Sequence, residues 1–352
     1  MTNAPTLSAK RAAFKRLHRP GNCFIIPNPW DLGSARFLQG LGFKALATSS
    51  AGFSWSQGHA DHHLGRDRIL AHIRELAEST DLPVNADFEN GFGGTSGQIQ
   101  ENVRMVIDAG VAGISIEDAS GHPDRSVLDL ETAVKRIQAA RAVIDAAGGE
   151  VLLVGRAENY HLGRPDLDDT IRRLKAYSEA GADCLFAPGL KTRDEIGAVV
   201  RAVAPKPVNV LIGGATDISF GELSAMGVRR VSVGGALARV AWGAFMSAAR
   251  GLAERQDFSV FSQAASGKEL DSFFRMVVDE PSQRRFANIV GLVEYREGEG
   301  MPIAIPKGAA VVEATSSDVT ISWIEGASSG SAAMPLADFC RYVAHGAITV
   351  AR

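Results

Sequence analysis

"EAGADCLFAPG", residues 179–189, holds the turn on which the fold is built. The stretch before it, "LDDTIRRLKAYSEAGA" (167–182), has a helical pattern that stops at Gly181. Glycine there takes the left-handed conformation that ends helices. Three residues on, "CLFAPG" (184–189) is uncharged and short, as a buried strand is. The same phrase recurs in "GLGFKAL" (40–46) and "DAGVAGI" (108–114). Working outward, further strand candidates are "CFIIPN" (23–28), "ALATSS" (45–50), "PVNADF" (83–88), "GISIED" (113–118), "LLVGRAE" (152–158), "PVNVLI" (207–212) and "RVSVGG" (230–235). Strands alternating with helices imply a parallel sheet. Eight such units predict an α/β fold of the (β/α)8 TIM-barrel type. On spacing alone an open, doubly wound sheet is the alternative.

Composition narrows the function classes. Of 352 residues, 45% are hydrophobic and 22% charged, as in ordinary soluble globular proteins. A net charge of -3 gives no electrostatic reason to expect nucleic acid or an anionic membrane. Cys23, Cys184 and Cys340 form no CxxC pair, which argues against a disulfide framework or zinc site and suits a cytoplasmic location. No apolar run reaches the ~20 residues of a membrane span. The opening "MTNAPTLSAKRAAFKRLHRPG" reads as an amphipathic helix rather than a signal peptide.

Polar residues gather at one end of each unit. Asn28, Thr48 to Ser50, Asp87 with Glu89, Glu117 with Asp118, Arg156 with Glu158, and Asn209 all follow their strands. In a barrel those ends share one mouth, where active sites sit. In "VNADFENGFGG" (84–94), Asp87 and Glu89 are two apart and point the same way if the chain is extended. Glu117 ends the adjacent strand, ~4.8 Å away. Three acids so close repel unless a cation lies between them. Hard oxygen donors suit Mg²⁺ or Mn²⁺, while ion pairing with Arg156 is the structural alternative. Arg156 suits bidentate binding of a carboxylate or phosphonate, or a salt bridge with Glu158. "TSSAG" (48–52) offers backbone N–H groups of the kind that cradle an oxyanion.

The rhythm changes near residue 256. The stretch 258–296 reads as one or two helices. Beyond it lie a two-strand hairpin, a flexible turn at "EGASSGSA" (325–332), a helix from Leu336 and a last strand. A barrel over 1–275 and a small α+β extension over 276–352 are expected. The extension carries no cluster of catalytic residue types and reads as a packing or oligomerisation element.

"NADFENGFGG", "ISIEDASG", "VGRAENYHLGRPDLDDTIRRLKAYSEAGADCLFAPGL" and "RVSVGGALARVA" together resemble the isocitrate lyase/phosphoenolpyruvate mutase superfamily, over residues of about 10 to 275. The resemblance implies a (β/α)8 barrel whose last helix is exchanged with a neighbour, in a homodimer or homotetramer. It also implies Mg²⁺-dependent chemistry on a small 2-oxo or 2-hydroxy acid through an enolate. By position it makes Asp87 the principal metal-ligating acid, with Glu89, Glu117 and Asp61 holding metal-bound waters. Ser49, Ser50, Ala51, Glu158 and Asn209 become substrate contacts, and Arg156 the substrate-anion arginine. The loop "DASGHPDRSVLD" (118–129) lacks the Lys-x-Cys-Gly-His of isocitrate and methylisocitrate lyases, leaving His122 and Arg125 as candidate proton donors or anion contacts. Catalytic roles thus fall to Arg156, Glu117 and His122. A carbon–carbon lyase of the oxaloacetate-decarboxylase-like branch is the leading expectation. P–C bond chemistry and a catalytically idle 2-oxo-acid binder are the rivals.

Overall fold

The computed structural model describes residues 4–120, 126–278, 284–298, 300–325 and 328–350. The chain divides into two compact units, Pro5–Ala35 with Lys44–Trp242, and Met1–Ala4, Arg36–Phe43 with Gly243–Arg352.

The first unit holds the eight expected strands. They are β1 (Phe24–Ile26), β2 (Leu46–Ala47), β3 (Val84–Asp87), β4 (Gly113–Glu117), β5 (Leu152–Arg156), β6 (Cys184–Phe186), β7 (Val208–Leu211) and β8 (Arg230–Ser232). All paired neighbours run parallel in the order β1-β8-β7-β6-β5-β4-β3-β2. Strand β8 meets β1, and every other pairing joins strands consecutive in the chain. That order excludes a doubly wound sheet and makes a barrel. Between β1 and β2 the backbone contributes one hydrogen bond, from Ala47 N–H to the Pro27 carbonyl at 3.0 Å. Asn28 reinforces this seam: its Nδ2 donates to the Thr48 carbonyl (3.0 Å), and its Oδ1 accepts from Val233 N–H and Gly234 N–H (3.1 and 2.8 Å). Gly110 and Gly181 take the left-handed conformation expected of helix ends, with φ of 87° and 104°.

The barrel interior is apolar at one end. Phe14, Phe24, Ile26, Ala45, Ala47, Ala112, Leu152, Val154, Cys184 and Phe186 form one cluster. The expected N-terminal helix is present (Leu7–Leu17) and inserts Phe14, which is fully buried. A Cβ on Gly113 would lie 2.6 Å from both the Phe14 ring and Asn85 Oδ1, so only glycine lets β4 start there. His18 packs edge-on against Phe14 and Phe24, at 4.7 and 5.1 Å between centroids. Its Nδ1–H donates to the Phe14 carbonyl at 2.8 Å, while Nε2 is buried without a partner.

The second unit differs from the sequence expectation in two places. It holds an antiparallel sheet ordered β14-β13-β12-β9-β15, comprising β9 (Arg284–Ile289), β12 (Gly308–Ala314), β13 (Asp318–Glu325), β14 (Ser328–Pro335) and β15 (Ile348–Val350). A small pair, β10 (Glu294–Tyr295) and β11 (Ile303–Ala304), accompanies it. The helix Gly267–Val278 covers part of the stretch expected to be helical, but 284–289 is a strand. Its Ala287 and Ile289 are buried in this unit's core with Val312, Ile321 and Phe339. The expected turn at 325–332 is strand from Ser328 onward, and 326–327 lie outside the described residues. Register explains it: Gly330 faces Trp323, and a Cβ there would meet the indole at 2.4 Å. The helix Leu336–Ala344 and final strand β15 are as expected.

Burial lowers the His18 pKa from 6.5 to about 3, with Arg230 adding to the effect. The neutral ring is the folded form. Below pH 6.5 the unfolded chain takes up a proton that the folded chain refuses, so stability falls as pH drops from 6.5 towards 3. From this group the barrel should lose about 2 kcal/mol between pH 7 and pH 5, at ~1.4 kcal/mol per pH unit. Urea titrations at both pH values should show that component in the parent chain and its absence in His18→Gln.

Candidate active site

Strand ends place the side chains. A cavity of about 400 Å³ opens at the C-terminal mouth of the barrel. Ser49, Ser50, Ala51, Asp61, Asp87, Arg156 and Asn209 line it. Glu89, Glu117 and Glu158 stand behind this lining, buried, and reach it through His62 and Arg156. His122 and Arg125 lie outside the described residues.

Arg156, at the end of β5, is the hub. Its Nη1 is 3.3 Å from Asp87 Oδ1 and 3.3 Å from Glu117 Oε2, and its Nε donates to Glu158 Oε1. The guanidinium also lies over the Phe186 ring, 5.2 Å from the centroid. Burial alone would lower the Arg156 pKa, but the three acids, Glu158 foremost, more than offset this and hold it charged. Glu117 behaves oppositely: its burial dominates and pushes its pKa well up, only partly countered by Arg156. The expected salt bridge with Glu158 is present, and it orients a guanidinium that lines the cavity.

The acids do not sit as a simple extended pair. Strand β3 ends at Asp87, and Glu89 turns left-handed with φ of 44°, so alternation along a strand does not align the two. Glu89 Oε2 instead meets His62 Nδ1 at 3.0 Å, and His62 Nε2 lies 3.5 Å from Asp61 Oδ2. The other Glu89 oxygen, Oε1, is buried without a hydrogen bond. Among the described residues, no three of His, Cys, Asp and Glu converge closely enough to hold a metal ion by themselves. This corrects the expectation that three acids lie within one ion's direct reach, because Arg156 Nη1 lies between Asp87 and Glu117.

The loop expected to cradle an oxyanion, residues 48–52, is also partly committed. Ser49 caps the helix Ser50–Ser56, its Oγ accepting from Gly52 N–H at 3.1 Å. Ser50 N–H donates to Asp87 Oδ2 at 3.2 Å, and Thr48 Oγ1 accepts from Asp87 N–H at 2.8 Å. Asp87 is thus held from two sides, its remaining freedom directed at the cavity.

Sequence reasoning passed over several residues. His62 is one: hydrogen bonding to Glu89, with Asp61 and Glu117 nearby, raises its pKa to about 9, so it is an imidazolium at neutral pH. The run "GHADHH" (58–63) beside a candidate acid was the available signal. Asp118 is another. It accepts from Glu158 N–H (2.7 Å), Tyr177 Oη–H (2.6 Å) and Arg173 Nη1–H (3.0 Å), and so holds the backbone that carries Glu158. Asn85, Ser115, Arg230 and Ser232 also line the cavity.

A family model described as phosphoenolpyruvate phosphomutase matches residues 14–253. The chain belongs to that family. Within the phosphomutase family and its wider superfamily of lyases and mutases, the relatives carry different activities. A crystal structure of a putative lyase/mutase from Burkholderia cenocepacia is 48% identical, with a TM-score of 0.73, covering 76% of this chain and 98% of that one. An oxaloacetate decarboxylase from Bradyrhizobium is 28% identical over 65% of this chain and 78% of its own. The 2-methylisocitrate lyase of Escherichia coli is 31% identical over 48% of this chain and 62% of its own. Membership accounts for the barrel and for charged strand ends at one mouth.

Five carboxylates, of Asp61, Asp87, Glu89, Glu117 and Glu158, face two cations, Arg156 and His62. Removing Arg156 strands three of them. Arg156→Met should destabilise the barrel by roughly 3–5 kcal/mol, as when one partner of a buried ion pair is deleted. Arg193→Met, on an exposed pair with Asp217 and Glu222, should cost no more than ~1 kcal/mol by the same chemical denaturation assay.

Proposed function

We propose that the protein is a Mg²⁺-dependent lyase that cleaves a C–C bond of a small 2-oxo or 2-hydroxy carboxylic acid. The observation that carries this reading is the carboxylate cluster at the barrel mouth, where Asp61, Asp87, Glu89, Glu117 and Glu158 share Arg156 and His62 as their ion-pair partners, while Arg230 and Arg239, which also line the cavity, form no described ion pair with them. The donors fit a hard divalent cation: all are oxygens, Asp87 and Asp61 reach the cavity, and a Glu89 oxygen behind them has no partner. Magnesium characteristically takes one or two protein carboxylates and keeps several waters, which suits acids that do not converge. Asp87 would hold the ion, with Asp61, Glu89 and Glu117 around its waters. Bound there, it supplies Lewis-acid polarisation of an oxo or hydroxyl oxygen.

The chain's own residues do the rest. Arg156 presents guanidinium donors to the substrate carboxylate, and Glu158 with Asp118 behind it fixes the angle of approach. The Phe186 ring lies over one face of the guanidinium and adds a cation–π contact. Glu117, its pKa raised by burial, would be the group that takes or returns a proton. Cleavage next to an oxo group leaves an enolate, whose charge the cationic groups of the mouth oppose.

Assembly of identical chains is part of the proposal. Residues 239–247, within the helix Ala236–Arg255, are all exposed although mostly apolar, including Val240 at 71% and Phe245 at 61%. A helix apolar all round is normally buried. A second copy of this chain is the proposed cover.

A panel of oxaloacetate, methylisocitrate, isocitrate and phosphonopyruvate with Mg²⁺ tests the reaction. Turnover of one of the first three, lost in excess EDTA and reduced by at least about a hundredfold in Asp87→Ala, is the expected result. Activity that persists in EDTA would remove the metal, and turnover of phosphonopyruvate alone would move the chemistry to the P–C bond. Light scattering should give a mass at least twice that of one chain, falling towards one chain in Val240→Glu/Phe245→Glu.

A further inference from the structure

The same cavity holds a second guanidinium that the proposed reaction does not use. Arg230 begins β8, is 2% exposed and lines the cavity. Among the described residues no carboxylate pairs with it. Burial lowers its pKa, as expected for a cation without a counter-ion. It meets amide oxygens instead: Nε donates to Asn209 Oδ1 at 2.9 Å and Nη1 to Asn85 Oδ1 at 3.3 Å.

Those two bonds set the direction of every bond beyond them. A guanidinium donates only, so both amide oxygens accept and both amide nitrogens must donate. Asn209 Nδ2 donates to Ser232 Oγ at 2.9 Å, and Asn85 Nδ2 to Ser115 Oγ at 2.9 Å. Each serine oxygen is thereby an acceptor already, and its own proton is left to donate. No described residue accepts it, and both serines line the cavity. Two relays starting from one buried cation thus end in two hydroxyl donors facing the same space. An accepting group completes them, and beside the unpaired charge of Arg230 a negative one is favoured; a cation or an apolar group completes neither.

We propose that Ser115, Ser232 and Arg230, aligned through Asn85 and Asn209, form an anion subsite for a second, distal carboxylate, so that the substrate is a dicarboxylic acid. This rests on the reading above, in which Arg156 takes the carboxylate at the reacting end. The serine hydroxyls make the direct contacts, and Arg230 is a positioning residue that also supplies the charge. Asn209, expected to contact substrate, acts here through Ser232.

Calorimetric binding of malate and of 2-hydroxybutyrate tests the subsite, since the two differ in the distal carboxylate. With Mg²⁺ present, the parent chain should prefer malate by at least about a hundredfold, a margin typical of a site built to hydrogen-bond a group the analogue lacks. Ser115→Ala and Ser232→Ala should each remove about a factor of ten, as loss of a hydrogen bond to a charged group does. Affinity for 2-hydroxybutyrate should stay within about twofold in both, because neither hydroxyl touches it. The single variants allow the preference to be followed even if the double variant is unstable. No malate preference in the parent chain, or an undiminished one in both variants, overturns the proposal. Turnover is not read in this experiment. Selective malate binding without turnover on the panel would sink the lyase reading alone, and turnover with an unaltered preference would sink the subsite alone.

Discussion

One guanidinium shared by three carboxylates governs the barrel mouth. Arg156 touches Asp87, Glu117 and Glu158, each from a different position around the rim. A single positive charge cannot neutralise three, so the site is electrostatically incomplete as folded. That incompleteness has a structural cost, because buried carboxylates are shifted towards the neutral form, as at Glu117 and Glu89. Burial without full compensation is common where charge is kept for chemistry. The fold tolerates it because the surrounding shell is well satisfied: Asp118, Tyr177 and Arg173 hold one side, and Thr48 with Ser50 N–H the other.

Two of the three arginines that line the cavity, Arg156 and Arg230, illustrate different uses of the same group. Arg156 is surrounded by acids and serves as their shared partner. Arg230 is surrounded by neutral amides and fixes which way their dipoles point. A charge paired with oxygens of amides keeps its field, whereas one paired with carboxylates is largely cancelled. The cavity therefore carries negative character near Asp87 and positive character near Ser232, a polarity suited to a cation and an anion held side by side.

Much of the barrel could be read from local signals. Gly42, Gly110 and Gly181 end helices in left-handed geometry, and short uncharged runs follow them, so all eight strands were legible. Because parallel strands all deliver their last residues to one rim, Asp87, Glu117 and Arg156 could be placed together from spacing alone, whereas Asn209, expected at a strand end, is the second residue of β7 and lines the cavity from there. What escaped depends on the third dimension. His62, in a left-handed turn on a separate loop, meets Glu89 across 27 residues of chain. Arg230 opens a strand, where structural rather than functional residues are expected. Strand β14, "SSGSAAMP", has few of the residues that favour strands, and pairing with β13 makes it one. Arg284–Ile289 buries alternate residues, Ala287 and Ile289, but its apolar residues Phe286 and Ala287 are adjacent, so the sequence shows no clean period of two after the helix.

The seam at Asn28 has a consequence of its own. Seven of the eight junctions around the barrel are zipped by strand pairing, while the eighth rests on one backbone bond and one amide side chain. That amide also clasps the backbone at 233 and 234, beside the cavity. Asn28 is therefore a latch common to the scaffold and to the rim. Opening the cylinder at this junction would release residues 233–234 as well, and a bound acid that stiffens them would tighten the ring through a single carboxamide.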